Sequence, residues 1–146
     1  ASFGDLDGDG DLDVYVGTDN MNRLFFNNGT GFFTRDMSIS TGHSGAARSS
    51  VFVDIDNDSD LDLAFVDTGT GPCLSIAINN GAGVLALPFT LSEGACEGLR
   101  FSDIDGDGDL DIVAGQSFNL RGRAPGHDHV MTLFGELSSK GAAHTF

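Results

Sequence analysis

The run Asp103-Ile-Asp-Gly-Asp-Gly-Asp-Leu-Asp111 places carboxylates at positions 1, 3, 5 and 9 of a nine-residue loop, with glycines at positions 4 and 6. Two carboxylates about 4 Å apart repel by about 4 kcal/mol at an effective dielectric of about 20, so four converging ones call for a cation. Carboxylate and carbonyl oxygens, with no Cys or His among them, suit a hard ion, and a flexible multi-oxygen loop suits Ca²⁺ better than Mg²⁺. The glycines allow the tight turn that would bring the position-7 carbonyl, that of Asp109, towards the metal. The expected ligands are therefore Asp103, Asp105, Asp107 and Asp111 through side chains and Asp109 through its carbonyl.

The pattern occurs three times. Asp5, Asp7, Asp9, Asp11 and Asp13 form the first copy, and Asp54, Asp56, Asp58, Asp60 and Asp62 the second. Phe3, Phe52 and Phe101 stand two residues ahead of each loop, and the copies recur every 49 residues. A solvated acidic turn needs no such fixed ligand spacing. An EF-hand requires Glu at loop position 12, where Val16, Phe65 and Ala114 stand, so that motif is rejected. The expectation is one Ca²⁺ per repeat, three in all.

These loops need elements to hold them. The 49-residue period divides the chain into units 1–49, 50–98 and 99–146. Each opens with a short strand ending at its loop: Ser2–Gly4, Ser50–Val53 and Arg100–Ser102. An apolar strand follows each loop, with Leu12, Val14 and Val16 on one face of the first. Leu61, Leu63 and Phe65, then Leu110, Ile112 and Ala114, take the same places in the second and third. The opposite faces, with Tyr15, Ala64 and Val113, are also apolar, and a sheet apolar on both faces must be covered on both. A hairpin comes next: Leu24-Phe-Phe-Asn-Asn28-Gly29-Thr-Gly31-Phe-Phe33 parallels Ile76-Ala-Ile-Asn-Asn80-Gly81-Ala-Gly83-Val-Leu85, with glycines and asparagines for positive φ. Each unit thus reads as four short antiparallel strands with a metal loop between the first two, and no segment has a helical period.

Here the chain resembles the FG-GAP/VCBS repeat, the blade of integrin α-subunit-type β-propellers and of many secreted bacterial repeat proteins. The resemblance lies in F-x-D-x-D-G-D-G-D-L-D, the apolar strand after it, and N-R-L-F-x-N-N-G-x-G-x-F, which over Arg23–Phe33 is close to the VCBS and UnbV/ASPIC-like version. It implies an all-β fold of three four-stranded antiparallel β-propeller blades, each with its Ca²⁺ loop between the first two strands and the ligands numbered above. Two departures stand out. The second loop has Asn57 and Ser59 at the glycine positions, and the third repeat lacks the Asn-Asn-Gly turn, for which Leu133-Phe-Gly-Glu-Leu can substitute. Closed propellers have four to eight blades, so three blades imply an open array or part of a larger propeller. Both end blades should then show uncovered apolar faces, and the chain should not exist as a free monomer.

Composition narrows the function. The net charge is −15 and Lys140 is the single lysine, which excludes a phosphate-binding basic patch and with it nucleic acid. No apolar run approaches the ~20 residues of a membrane span. The chain opens inside a repeat motif without a signal peptide, which points to a processed product or a fragment. Cys73 and Cys96, the only cysteines, flank one predicted hairpin; in a calcium-rich extracellular setting they would form a disulfide, the alternative being two buried thiols. Asn28-Gly-Thr30 and Asn57-Asp-Ser59 match the N-glycosylation pattern. Between Gly115 and Val130 the repeat pattern is lost, and Arg121, Arg123, His127 and His129 make either a partner loop or a solvated connector. His127 and His129 alone are too few to define a transition-metal site. Gly42-His-Ser44-Gly lacks the second glycine and the strand–turn–helix context of a nucleophile elbow, so a hydrolase is set aside.

The expected function is that of a non-catalytic, extracellular (secreted or cell-surface) calcium-binding module for adhesion, recognition or assembly. Partners would be Ca²⁺, other copies of the chain or the rest of a longer one, and a protein or glycan ligand. Two alternatives remain: a self-assembling subunit that builds a filament or ring through open blade faces, and an accessory domain of a secreted carbohydrate-active enzyme.

Overall fold

The computed structural model describes residues 1–19, 22–36, 47–68, 72–86, 89–93, 96–103, 110–117 and 129–134. Among them there is no helix, and all strand pairing is antiparallel. The strands are β1 (Ser2–Gly4), β2 (Asp13–Val16), β3 (Arg23–Asn27), β4 (Phe33–Asp36), β5 (Ala47–Val53), β6 (Asp62–Asp67), β7 (Pro72–Ala77), β8 (Phe89–Glu93), β9 (Cys96–Ser102), β10 (Asp111–Ser117) and β11 (His129–Phe134). They form three meanders in chain order: β1-β2-β3-β4, β5-β6-β7-β8 and β9-β10-β11. The last has three strands among the described residues, and the segment expected to replace its missing turn runs past Phe134, outside them.

Register carries the 49-residue period into space. Phe3 pairs with Val14 and Val14 with Phe25; in the second sheet Phe52 pairs with Leu63 and Leu63 with Ala77; in the third Phe101 pairs with Ile112 and Ile112 with Phe134. The neighbouring rows, on the other face of each sheet, are Ser2–Tyr15–Leu24, Val51–Ala64–Ile76 and Arg100–Val113–Leu133. Because strand side chains alternate between faces, each of the first two sheets has two largely apolar rows facing opposite ways.

These rows make two cores. Leu6, Tyr15 and Leu24 of the first sheet pack with Leu63, Phe65 and Ala77 of the second, and Phe52, Leu61 and Leu85 close the edge. On the far side of the second sheet, Ile55, Ala64, Val66, Leu74 and Ile76 pack with Leu99 and Ile112 of the third, flanked by Phe101. The second sheet is thus covered on both faces, which accounts for the unbroken burial of β6 from Asp62 to Asp67. β1 lies against β5, and β5 against β9, so the first strands of successive sheets are neighbours. Polar ties repeat the contact: Ser2 Oγ donates to the Ser50 carbonyl at 2.6 Å, and Asn22 Nδ2 to Asp67 Oδ1 at 3.3 Å.

Phe65 is completely buried, with its ring centroid 5.6 Å from that of Tyr15 across the sheet–sheet contact. Phe65→Ala removes one side of that pair from a slab that cannot collapse without moving β6. A loss of about 3–5 kcal/mol of unfolding free energy is expected, read by urea denaturation.

Candidate functional site

The first two acidic loops are fastened to the core at position 2. Leu6 and Ile55, which stand there, are buried in the two inter-sheet cores. The odd positions are thereby turned to the other side, where their oxygens converge. In the first loop Asp5, Asp7 and Asp13 offer ligand oxygens that all lie within 4.8 Å of one another, and in the second Asp54, Asp56 and Asp62 do the same. Positions 1, 3 and 9 are thus brought together in both described loops.

Positions 5 and 7 have other duties. Asp9 Oδ1 accepts from the Asp11 amide at 2.9 Å, and Asp58 Oδ1 from the Asp60 amide at the same distance, each shaping the turn. The position-7 side chains, Asp11 and Asp60, lie over Gly29 and Gly81 of the following hairpins, where a Cβ would collide with the carboxylates. A position-7 residue whose side chain leans on the hairpin has only its carbonyl to offer the loop. In the third loop residues 104–109, including Asp105, Asp107 and Asp109, lie outside the described set; Asp103 is exposed and Asp111 buried.

The position-9 aspartates are the most constrained. Asp13 and Asp62 have no solvent exposure. Asp13 Oδ2 accepts from the Leu6 amide at 2.9 Å and its Oδ1 from the Asn27 amide at 2.9 Å. Asp62 repeats this with Ile55 at 2.8 Å and Asn79 at 2.8 Å. One carboxylate therefore ties loop to hairpin within each sheet. Each of its oxygens keeps a second lone pair for a cation.

Position 1 closes the turn. Asp5 accepts from the Gly8 amide at 2.9 Å and the Gly10 amide at 3.0 Å, and Asp54 Oδ2 from the Ser59 amide at 3.0 Å. Asp54 Oδ1 is buried and has no hydrogen-bond partner. An orphaned carboxylate oxygen beside two more carboxylates is an uncompensated cost unless a positive charge meets it. Crowding also shows in the protonation balance. The Asp62 carboxyl is pushed above its ordinary 3.8 by burial, with Asp56 and Asp58 adding to the rise and the Asn79 and Ile55 amides opposing it. Desolvation first, then the charges of Asp13 and Asp9, raise Asp7.

Asn57 (φ 63°) and Ser59 (φ 79°) adopt the left-handed backbone of Gly8 (75°) and Gly10 (91°), so the second loop keeps the turn of the first at a conformational cost. The sequence marks Asn79 only as a turn residue, and the structure gives it more. Its side-chain Nδ2 donates to the Leu6 carbonyl at 2.7 Å and to the Leu61 carbonyl at 3.0 Å, linking the second hairpin to the first loop. The doubled asparagine before the glycine is the available signal, but its reach to another sheet is not a local property.

Other candidate residues fall elsewhere. Asn28 is exposed in the β3–β4 turn, its Oδ1 accepting from the Thr30 hydroxyl at 2.7 Å. Cys73 is buried in the core between the second and third sheets, and no described cysteine is free. The side chain of Cys96 lies outside the described residues, as do Arg121, Arg123 and His127, the side chain of His129, and the Gly42–Gly45 segment.

An all-β repeat whose acidic loop joins the first two strands of a four-stranded antiparallel sheet is thus established for the first two units. Residues 5–65 match the family model of the FG-GAP-like repeat, which takes in both described loops and the start of β6. No curated protein and no solved structure matches the chain.

The loop geometry yields two predictions. Ser59→Gly relieves a left-handed serine and should raise stability by about 1 kcal/mol, whereas Gly81→Ala forces a side chain into φ 79° against Asp60 and should lower it by at least as much; differential scanning calorimetry compares them. Carboxyls raised in the folded state stabilise it when protonated. Without metal, their contribution is full below 3.8 and lost as pH rises through the raised folded values. In chelator, melting temperature should therefore climb as pH is lowered from neutrality into that window.

Proposed function

We propose that this chain is a calcium-stabilised β-propeller-type binding module that works outside the cell and does no chemistry of its own. The observation that carries the reading is the convergence of three carboxylates within 4.8 Å in each of two loops one repeat apart. The orphaned Asp54 Oδ1 supports it, since the oxygen-only donor set suits a hard divalent ion. Asp5, Asp7, Asp9 and Asp13 would hold one ion and Asp54, Asp56, Asp58 and Asp62 another. Asp103, Asp105, Asp107 and Asp111 would hold a third, and Asp11, Asp60 and Asp109 would lend carbonyls. The ion supplies charge neutralisation alone. It lets the carboxylates stay ionised while Asp13 and Asp62 keep their amide bonds between loop and hairpin.

An assignment to the extracellular space agrees with this, because loops of this class fill at millimolar Ca²⁺. We also assign the partner of Cys73 to Cys96, the only other cysteine in the chain, across the core that joins β7 to β9. Among the described residues no helix is long and apolar enough to cross a membrane. In this reading the sheets serve as a frame, and recognition of a protein or glycan falls to the loops.

Calcium should raise the melting temperature steeply. A site with Kd of about 1 µM, at about 1 mM Ca²⁺, adds about 4 kcal/mol, so three sites shift Tm by about 30 °C for a chain of this size. Excess chelator should abolish the rise, Mg²⁺ should reproduce little of it, and Asp54→Asn should remove about a third of it. Identical melting in calcium and chelator would remove the basis of the proposal.

A further inference from the structure

We propose, resting on the cation reading of the first two loops, that Asn79 is a positioning residue that couples their sites, so that filling one raises the affinity of the other. Asn79 is 4% exposed, so its hydrogen bonds are shielded from water. Its backbone amide donates to Asp62 Oδ1, at position 9 of the second loop, at 2.8 Å. Its Oδ1 accepts from the Asn80 amide at 2.8 Å, which sets the side chain so that Nδ2 points across the sheets. Nδ2 donates to the Leu61 carbonyl, at position 8 of the second loop, at 3.0 Å. It also donates to the Leu6 carbonyl, at position 2 of the first loop, at 2.7 Å. The Leu6 amide in turn donates to Asp13 Oδ2 at 2.9 Å, so a short chain of bonds joins the two position-9 carboxylates.

The rest of the second hairpin also lies against both loops. Gly81 abuts the Asp60 carboxylate of the second loop, and its carbonyl faces Gly8 of the first. A methyl group at Gly83 would meet the Phe26 ring at 2.7 Å and the Asp7 β-carbon at 3.0 Å. Asn27 holds the matching place in the first hairpin. Its amide donates to Asp13 Oδ1 at 2.9 Å, while its Oδ1 accepts from the Gly29 amide at 3.2 Å inside its own turn. The tie from hairpin to loop within one sheet is thus common to both hairpins, and the tie between sheets is what the Asn79 side chain adds.

Without a cation, the carboxylates of each loop repel one another and oppose the bonds that Asp13 and Asp62 accept. A cation in the second loop lets Asp62 stay ionised on the Asn79 amide, and so fixes the side chain that meets Leu6. The first loop then closes on a hairpin that is already ordered, and the ordering entropy is met once for two sites. Such coupling is reciprocal: each site strengthens the other by the same factor. The loops also share an electrostatic field, in which a filled site repels the next cation, and that effect needs no Asn79. Asn79→Ala separates the two effects, because it removes the Nδ2 bonds, changes no charge and keeps the backbone amide for Asp62.

Amide NMR of the full chain during a calcium titration reads each loop separately, since the Gly10 and Ser59 amides donate to Asp5 and Asp54 at position 6 of their own loops. Asp56→Asn damages the second site and should raise the calcium midpoint at Gly10 by about 5-fold or more. In the Asn79→Ala background the same change should raise it by about 2-fold at most, the part that the altered charge accounts for. Asp7→Asn, read at Ser59, should give the matching pair of factors. Should Asn79→Ala fail to give a folded spectrum, Asn79→Ser replaces it, because the serine hydroxyl is too short to bridge the Leu6 and Leu61 carbonyls. Equal factors in the two backgrounds overturn the coupling and leave the electrostatic field as its substitute. Midpoints at one loop that ignore damage to the other overturn it too, with calcium binding left standing. If neither amide moves with calcium, the cation reading falls and the coupling falls with it.

Discussion

A buried carboxylate that accepts two backbone amides, one from the loop before it and one from the hairpin after it, is the constraint on which each of the first two sheets depends. Asp13 and Asp62 stand at the first residue of the second strand with no exposure to water. Desolvating an ion at such a place costs several kcal/mol, and hydrogen bonds to a charged acceptor return about 1.5–3 kcal/mol each. Two amides leave the balance close, and the neighbouring carboxylates at loop positions 1 and 3 worsen it. The loop is thus built so that its geometry is complete while its charge is not. That imbalance is what the proposed divalent ion would relieve.

The same loops also join one sheet to the next. Leu6 fills the core between the first and second sheets, while its amide is held by Asp13 and its carbonyl by Asn79 of the second hairpin. A single residue thereby belongs to the acidic loop, to the apolar slab and to the inter-sheet polar contact. Ile55 takes the equivalent place in the second loop and the second core. Acidic loop and inter-sheet packing therefore share residues in both described loops.

Much of this is legible in the residues. Period-2 alternation after each loop marks β2, β6 and β10, because a strand buried on both faces leaves few polar positions to confuse the pattern. The 49-residue spacing of Phe3, Phe52 and Phe101 anticipates their common register, since a repeat that packs on its own kind keeps the same residue at the same contact. The convergence of positions 1, 3 and 9 is contained in the acidic spacing as well. Other features are hidden. Nothing local distinguishes Asp11 from Asp9, yet one leans on a hairpin glycine and the other folds back on its own turn. Asn57 and Ser59 read as departures from glycine, but the left-handed turn survives them because hydrogen bonds to the loop carboxylates over-determine it. Strand ends are also longer than the pattern suggests: β5 and β9 begin several residues before the apolar alternation does, at Ala47 and Cys96, where pairing with the neighbouring strand decides the boundary.

The exposed aromatic row of the first sheet and the crowded carboxylates arise in the same repeat. The first two sheets carry apolar rows on both faces, and each of their acidic loops brings three carboxylates within 4.8 Å of one another. A lone sheet of this composition would expose two apolar rows and a cluster of unpaired carboxylates at once. Stacking removes the first liability for the second sheet entirely and for the first sheet on one side only, so exposure remains on that sheet's outer row. Phe3 and Phe52 make the point with identical chemistry: same residue, same register, and opposite fates decided by whether another sheet is laid against them. The position of a sheet in the stack, rather than its own sequence, therefore determines whether its aromatic row is core or surface. The repeat cannot be understood one unit at a time.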